Sequence, residues 1–281
     1  MVFLTEFLKP GEAAMTEMFS YTFMQNAFIL VVLASVSCGV VGSLINVNRM
    51  SSFTGSIAHA SFGGLGLAYL LGVHPMLGAT VFAVGSALGI GALSDRNRLG
   101  SDTAMAALWA TGMAAGLVFI KLSGTYTSDL MSWLFGSLMA VSKTDIFLTG
   151  VLGVLVTGSV FLLYKEFLGI SYDLEFSRIQ GVPVKFVRGL FLVMAALTTI
   201  VLMKVTGLIM VIAMLTIPAA IAEKFSSSLW KMMILASVFS IVFSVAGLSV
   251  SWWLDLPSGP VIILISSVAY FAVQATGHRS S

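Results

Sequence analysis

The sequence predicts an all-α, polytopic membrane protein with about eight or nine transmembrane helices. Of its 281 residues, 58% are hydrophobic and only 9% are charged, and the mean hydropathy is +1.02. The 14 Lys and Arg and the 12 Asp and Glu are too few to form the polar shell of a soluble chain of this length. Long windows free of these charges can each cross a hydrocarbon core of roughly 30 Å.

The charge-free windows give the expected helices in chain order. They are apolar throughout and do not alternate, which favours helices over barrel strands. A break at 72–75, Gly-Val-His-Pro, divides one long window in two, because proline cannot continue a helix. The sixth and seventh spans are short and nearly contiguous, so one of them could be a broken or partial helix. The predicted spans are residues 22–46, 54–72, 76–93, 103–120, 144–164, 187–203, 206–222, 232–253 and 259–275.

Basic residues predict the orientation. Ten of the 14 Lys and Arg fall in alternate connections, and the positive-inside rule makes that side cytoplasmic. We therefore expect a multi-pass protein of the plasma or inner membrane, with one transmembrane domain over residues 1–281. Residues 1–20 would be extracytoplasmic, and 165–188 and the tail 276–281 cytoplasmic. We expect no secretory signal, because Met1–Phe19 is acidic.

Two connections are distinctive. In the cytoplasmic segment, Asp173 can cap a short helix, Glu175 and Arg178 can pair at i,i+3, and Gly181 can end the helix. This helix either packs on its own bundle or docks another protein. In the outer segment from Leu122 to Ser142, turn residues precede an apolar stretch too short to span. We expect a re-entrant or interfacial half-helix there, which makes Asp129 a candidate for the wall or lid of a passage.

His59 is the most informative single residue. It lies within the second predicted span, where an ionisable side chain is costly unless it faces the bundle interior or water. Imidazole is a common ligand of zinc and also suits manganese or iron. The alternative is a histidine that hydrogen-bonds to a neighbouring helix. Gly63 and Gly64 are suited to helix packing and would also open space beside His59, whereas the 16 Met are expected to serve packing only.

Several function classes have no support in the sequence. It contains no phosphate-binding loop, no His-Glu-x-x-His and no Gly-x-Ser-x-Gly. We therefore expect a transporter subunit that is not an enzyme and that takes its energy from a partner. Basic residues are too few and too scattered for nucleic-acid binding.

Six motifs together resemble the permease subunits of the metal-type ABC importers, which take up zinc, manganese or iron. The resemblance covers residues 20–275. The second-span motif is centred on His59, and the cytoplasmic motif contains Asp173, Glu175, Arg178 and Gly181. In chain order the motifs are Ser56–Gly66, Ser101–Ala107, Trp133–Leu138, Tyr172–Pro183, Gly207–Ala220 and Asp255–Pro260.

The resemblance implies an assembly. It would contain two copies of the permease, two cytoplasmic ABC ATPase subunits and an extracytoplasmic metal-binding protein. A divalent metal ion would be the transported substrate, with no permanently bound cofactor. The helix at 173–180 would sit in a groove of the ATPase, and His59 of each copy would line the shared passage.

One position departs from the family pattern. Members usually carry an aspartate four residues before the histidine, where this chain has Gly55. The loss of a carboxylate weakens binding of hard manganese more than binding of zinc, so the sequence alone leans towards zinc.

Two alternatives remain at this level. A stand-alone secondary transporter would be favoured by carboxylates in the middle of spans, and the predicted spans have none. An intramembrane hydrolase using His59 would need a positioned serine with an oxyanion hole, which no motif marks.

Overall fold

The computed structural model describes residues 18–96, 101–124 and 141–276, together with Trp133, Leu134, Gly136 and Leu138. Nine long helices agree with the nine predicted spans to within three residues at each end. Two short helices, Tyr164–Tyr172 and Leu174–Ile179, lie between the fifth and sixth long helices. The helices are α1 Thr22–Val47, α2 Ser51–Leu71, α3 Pro75–Arg96, α4 Ser101–Ser123, α5 Lys143–Leu162, α6 Tyr164–Tyr172, α7 Leu174–Ile179, α8 Val184–Thr206, α9 Leu208–Phe225, α10 Leu229–Leu254 and α11 Ser258–Ala275.

Eight of the described helices are long and apolar enough to cross a membrane, and α2 is the long helix that falls outside this set. Its Ser, Thr, Gly and His residues lower its hydropathy, but its 21 residues extend about 30 Å. It packs against α3, α4, α8 and α9, and most of its residues are buried. Because protein covers most of α2, it does not need an apolar surface for lipid. The eight candidate spans agree with the predicted eight or nine crossings.

The first helix, α1, lies at the centre of the bundle. Of the 18 residues in its most apolar stretch 78% are buried, against 22% for the corresponding stretch of α4. Helices α5, α8, α9 and α10 all contact α1. Gly39 lies against Ser237 of α10, and Gly42 lies against the carbonyl oxygen of Leu215 in α9. Side chains at these two glycines would collide with their neighbours, so the close packing around α1 depends on their absence.

Small residues also hold α2 against its two neighbours. A Cβ on Gly63 would lie 3.0 Å from the carbonyl oxygen of Gly112 in α4. Gly64 faces Gly78 of α3 in the same way. The predicted packing role of these glycines is therefore confirmed. In contrast, a Cβ on Gly85 would meet no described atom within 4 Å, so that glycine makes no such contact inside the described part of the chain.

The break between α8 and α9 shows that neither of the two short predicted spans is a partial helix. The sixth and seventh spans, α8 and α9, are both of full length, and Gly207 alone separates them with φ +83°. This positive φ is one that glycine adopts without a steric penalty.

The helix α6 was not predicted. Two of its apolar side chains, Phe167 and Ile170, are buried and hold it against the bundle. Most of the expected outer half-helix lies outside the described residues.

Candidate functional site

His59 lines an open groove of about 540 Å³ on the side of the bundle where α2, α4, α9 and α11 meet. The side chain is half-buried. Among the described residues of the groove, His59 is the one ionisable side chain, and most of its neighbours are apolar. The other residues that line the groove are Trp109, Met113, Leu134, Leu208, Ile209, Ile212, Ala213, Thr216, Ile217 and Ile263.

Two side chains of α4 contact the imidazole directly. The Nδ1 atom of His59 lies 3.3 Å from the Sδ atom of Met113. The indole ring of Trp109 stacks on the imidazole, with ring centroids 4.4 Å apart and planes 16° from parallel. Trp109 and Met113 are four residues apart and therefore share one face of α4. Trp109 therefore covers one face of the imidazole ring, and Met113 contacts its Nδ1 atom.

The structure also shows what fills the space beside Gly55. A Cβ at this position would lie 3.4 Å from Cζ3 of Trp109 and 3.8 Å from Cδ1 of Ile212. Both distances are ordinary van der Waals contacts, so a Cβ fits beside the Trp109 ring. A carboxylate at position 55 would lie next to the indole that stacks on His59.

Within the described ranges, no three His, Cys, Asp or Glu side chains form a group that could hold a metal ion. The described residues of the groove supply one imidazole with a thioether beside it. A lone nitrogen ligand is suited to brief contact with a hydrated ion.

The remaining passage candidates lie in different places. Gly63 and Gly64 pack against α4 and α3, and neither lines the groove. Asp129 lies outside the described residues. Leu134 lines the groove, and Gly136, with φ +71°, contacts the backbone at the junction of α8 and α9. The outer segment thus reaches the groove through Leu134.

An ion pair joins α5 to α8 at the end of the bundle opposite α6 and α7. Nζ of Lys204 donates to Oδ1 of Asp145 over 2.5 Å. Asp145 also forms a capping box with Ser142, whose hydroxyl donates to Oδ2 over 2.6 Å. The carboxylate is buried and Lys204 is half-exposed. Sequence reasoning did not find this pair, which joins residues 59 positions apart.

The segment 165–188 has the predicted local structure. Oδ1 of Asp173 accepts from the backbone N–H of Phe176 over 3.0 Å and caps α7. Arg178 pairs with Glu175 over 3.4 Å, and Gly181 ends the turn with φ +83°. Both charged side chains are exposed, and so are the apolar side chains of Tyr172, Phe176 and Ile179. A segment with this exposed apolar surface is suited to contact with another protein.

A polar cavity of about 590 Å³ lies beside this segment. Tyr172 lines it together with Arg49 and the serines at 226–228. Across it, Nδ2 of Asn46 donates to Oε2 of Glu223 over 2.8 Å, which joins the ends of α1 and α9.

Comparison with known proteins agrees with this architecture. The model of the ABC 3 transport family matches residues 20–277, nearly the whole chain. The chain belongs to this family, whose members are permeases of metal-type ABC importers. The permease is 41% identical to an uncharacterised membrane protein of Synechocystis over 257 residues, covering 92% of each chain. It is 34% identical to the manganese transport system membrane protein MntC of Listeria monocytogenes, covering 89% of each.

A solved structure is also similar. The permease superposes on a chain of the PsaBC complex from Streptococcus pneumoniae, solved with a Fab, at a TM-score of 0.83. The two are 29% identical, and the match covers 93% of this chain and 94% of the other. Family membership confirms the metal-type permease suggested by the six motifs, and it favours neither the secondary transporter nor the hydrolase.

The permease has two groove residues that sequence reasoning missed. The sequence predicts only a packing role for Met113, which is 54 positions away from His59. The sequence does contain a pattern that brings these residues near His59. Gly112-x-x-x-Gly116 and the glycines after His59 predict a close contact of α4 with α2. That contact is what brings Trp109 and Met113 to the imidazole.

Proposed function

We propose that this permease moves a divalent transition-metal ion into the cytoplasm through a passage lined by His59. The observation that carries the proposal is the position of His59 in an open groove instead of a closed helix contact. An ionisable side chain at membrane depth is costly unless it faces water or a partner. The groove is open on the outside of one chain, so a second copy of the permease would close it and bring a second His59 to the passage.

The transported metal that we propose is manganese. Relatives from Listeria monocytogenes, Halalkalibacterium halodurans and Streptococcus parasanguinis are named as manganese transport or import proteins. The lean towards zinc, drawn from Gly55, gains no support from these relatives. An imidazole contact with few further protein ligands leaves the ion most of its water, and a passage must bind weakly enough to release.

Cytoplasmic ABC ATPases supply the energy in this proposal. Two ATPase subunits would receive α7 in a surface groove, with Glu175 and Arg178 at its exposed side and Gly181 at its end. The exposed Phe176 and Ile179 support this docking, because they would otherwise face water. An extracytoplasmic metal-binding protein would deliver the ion at the opposite end, near Lys204 and Asp145.

This arrangement sets the topology that we propose. The whole chain, 1–281, is one permease domain, with its N-terminal segment outside the cell. The segment 165–188 and the tail 276–281 are cytoplasmic, in agreement with the concentration of basic residues on that side.

Metal uptake by a reconstituted complex tests the proposal. Proteoliposomes would contain the permease, its ATPase and its metal-binding protein, with manganese, zinc and iron supplied singly and in competition. We expect ATP-dependent uptake with manganese preferred. Uptake of none of the three by an assembled complex that hydrolyses ATP would contradict the proposal, and a preference for zinc would overturn the choice of metal.

A further inference from the structure

The contact between His59 and Met113 restricts the chemistry of the imidazole. A neutral imidazole has one N–H and one bare nitrogen, and the partner of one nitrogen decides which is which. Here Nδ1 lies 3.3 Å from Sδ of Met113. A thioether has lone pairs but no proton, so it can only accept. A hydrogen bond at this contact therefore requires the proton to be on Nδ1.

The helix that presents Met113 is held rigidly against His59. Gly116 of α4 packs on the backbone at Phe62, where a Cβ would lie 2.5 Å from the carbonyl oxygen. The Trp109 ring stacks on the imidazole and limits its rotation. The packing of α4 on α2 therefore keeps Met113 within reach of Nδ1.

We propose that Met113 is a positioning residue that holds His59 in the Nδ1–H form and leaves Nε2 as the nitrogen that binds the metal. This inference rests on the proposed function of His59. Metal-binding histidines commonly donate their second N–H to a carboxylate, a carbonyl or water, and that partner sets the tautomer. Gly55 provides no carboxylate, and here the thioether of Met113 takes the orienting role. Its sulfur is a weak acceptor, which keeps the imidazole a modest ligand that releases its ion.

Three substitutions in the reconstituted complex separate this role from general packing. Met113→Leu removes the acceptor and keeps a similar volume, whereas Met113→Gln replaces the sulfur with an amide oxygen that also accepts. Met105→Leu is the matched control, because Met105 is buried on the same helix and does not line the groove. Initial uptake rates of manganese and zinc would be measured over a range of concentrations.

We expect Met113→Leu to raise KM about tenfold for both metals, as changes to the orienting partners of metal ligands do. The maximal rate, the ATPase activity and assembly should remain those of the unsubstituted permease. Met113→Gln should recover most of the affinity, and Met105→Leu should behave like the unsubstituted permease.

Nitrogen NMR of the metal-free complex with ¹⁵N-histidine in the permease gives an independent reading. The chain has three histidines, and His59→Asn identifies the signals of His59. We expect a protonated Nδ1 and a bare Nε2 in the unsubstituted permease and in Met113→Gln. Met113→Leu should show a mixture of the two tautomers.

The outcomes distinguish this inference from the function on which it rests. Unchanged KM and unchanged NMR signals in Met113→Leu, with uptake lost in His59→Ala, would overturn the role of Met113 and leave the function intact. A loss confined to zinc would also overturn it, since it would make the sulfur a direct soft ligand. Absence of uptake by the unsubstituted complex would overturn the function itself.

Discussion

Lys204 and Asp145 form an ion pair between the last turn of α8 and the first turn of α5, with 2.5 Å between Nζ and Oδ1. The same carboxylate caps α5 through Ser142. The pair fixes the end of α8 immediately before the break at Gly207. It therefore sets the position from which α9 begins, and α9 forms part of the groove that contains His59.

Lys204→Met should destabilise the permease more than Lys204→Met combined with Asp145→Asn. The single change leaves a buried carboxylate without its cation and costs about 2 kcal/mol, whereas the double change removes both charges. Thermal unfolding in detergent measures the difference as a Tm that is lower by several degrees. Lys143→Met is the control and should leave Tm unchanged, because Lys143 is an exposed lysine in the same turn of α5 as Asp145. Equal Tm values for all variants would show that the pair does not fix the helix ends.

Gly112→Ala should disturb the contact that brings α4 to α2. The added Cβ would lie 2.5 Å from Cα of Ala60, so the two backbones would have to separate at a cost of about 1–3 kcal/mol. The matched change, Gly85→Ala, meets open space in a helix and should be neutral or stabilising. Tm values of the two variants, with uptake measured alongside, test this difference. A Tm for Gly112→Ala equal to that of Gly85→Ala would contradict the packing described here.

Gly181→Ala should weaken coupling to the ATPase. Alanine at φ +83° costs about 1 kcal/mol, and relief of that strain shifts the end of α7. Glu175→Ala should act on the same contact with little effect on folding, because its pair with Arg178 is exposed. Co-purification of the ATPase and metal-stimulated ATP hydrolysis are the measurements. Gly189→Ala, at a glycine of α8 with free space around it, is the control. Normal coupling in both Gly181→Ala and Glu175→Ala would show that the ATPase contacts a different part of the permease.

A carboxylate can be introduced at position 55 with or without the indole beside it. Gly55→Asp places the new side chain next to the Trp109 ring, and Gly55→Asp with Trp109→Ala gives it more space beside His59. We expect the double variant to have a lower KM for manganese than either single variant, because carboxylate oxygen suits manganese. Trp109→Ala alone is the control for loss of the stacking. If the double variant and Trp109→Ala have the same KM, position 55 does not face the transported ion.

Much of the fold follows from local sequence. The charge-free windows, Pro75 and the cap at Asp173 determine where helices begin and end, and each acts within a few residues. The low hydropathy of α2 could not be interpreted from sequence alone. It reflects burial between other helices, a property of the assembled bundle.

The groove could be predicted only in part, for a physical reason. His59 is conspicuous because an imidazole is rare at membrane depth. Met113 and Trp109 are ordinary apolar residues by composition, and only the register between α4 and α2 brings them to the imidazole. The pair of Asp145 and Lys204 likewise depends on packing between distant segments. The glycines of α2 and α4 predict that the two helices approach closely, but the residues that meet across such contacts are set by tertiary structure.

Uptake of radioactive manganese by proteoliposomes with His59→Ala tests the central claim most directly. The variant should assemble with its ATPase and hydrolyse ATP, yet lose at least nine-tenths of uptake at limiting metal, an order-of-magnitude expectation for loss of a ligand. His74→Ala, at an exposed histidine outside the groove, should transport normally. Undiminished uptake by His59→Ala at limiting manganese would contradict a passage lined by His59.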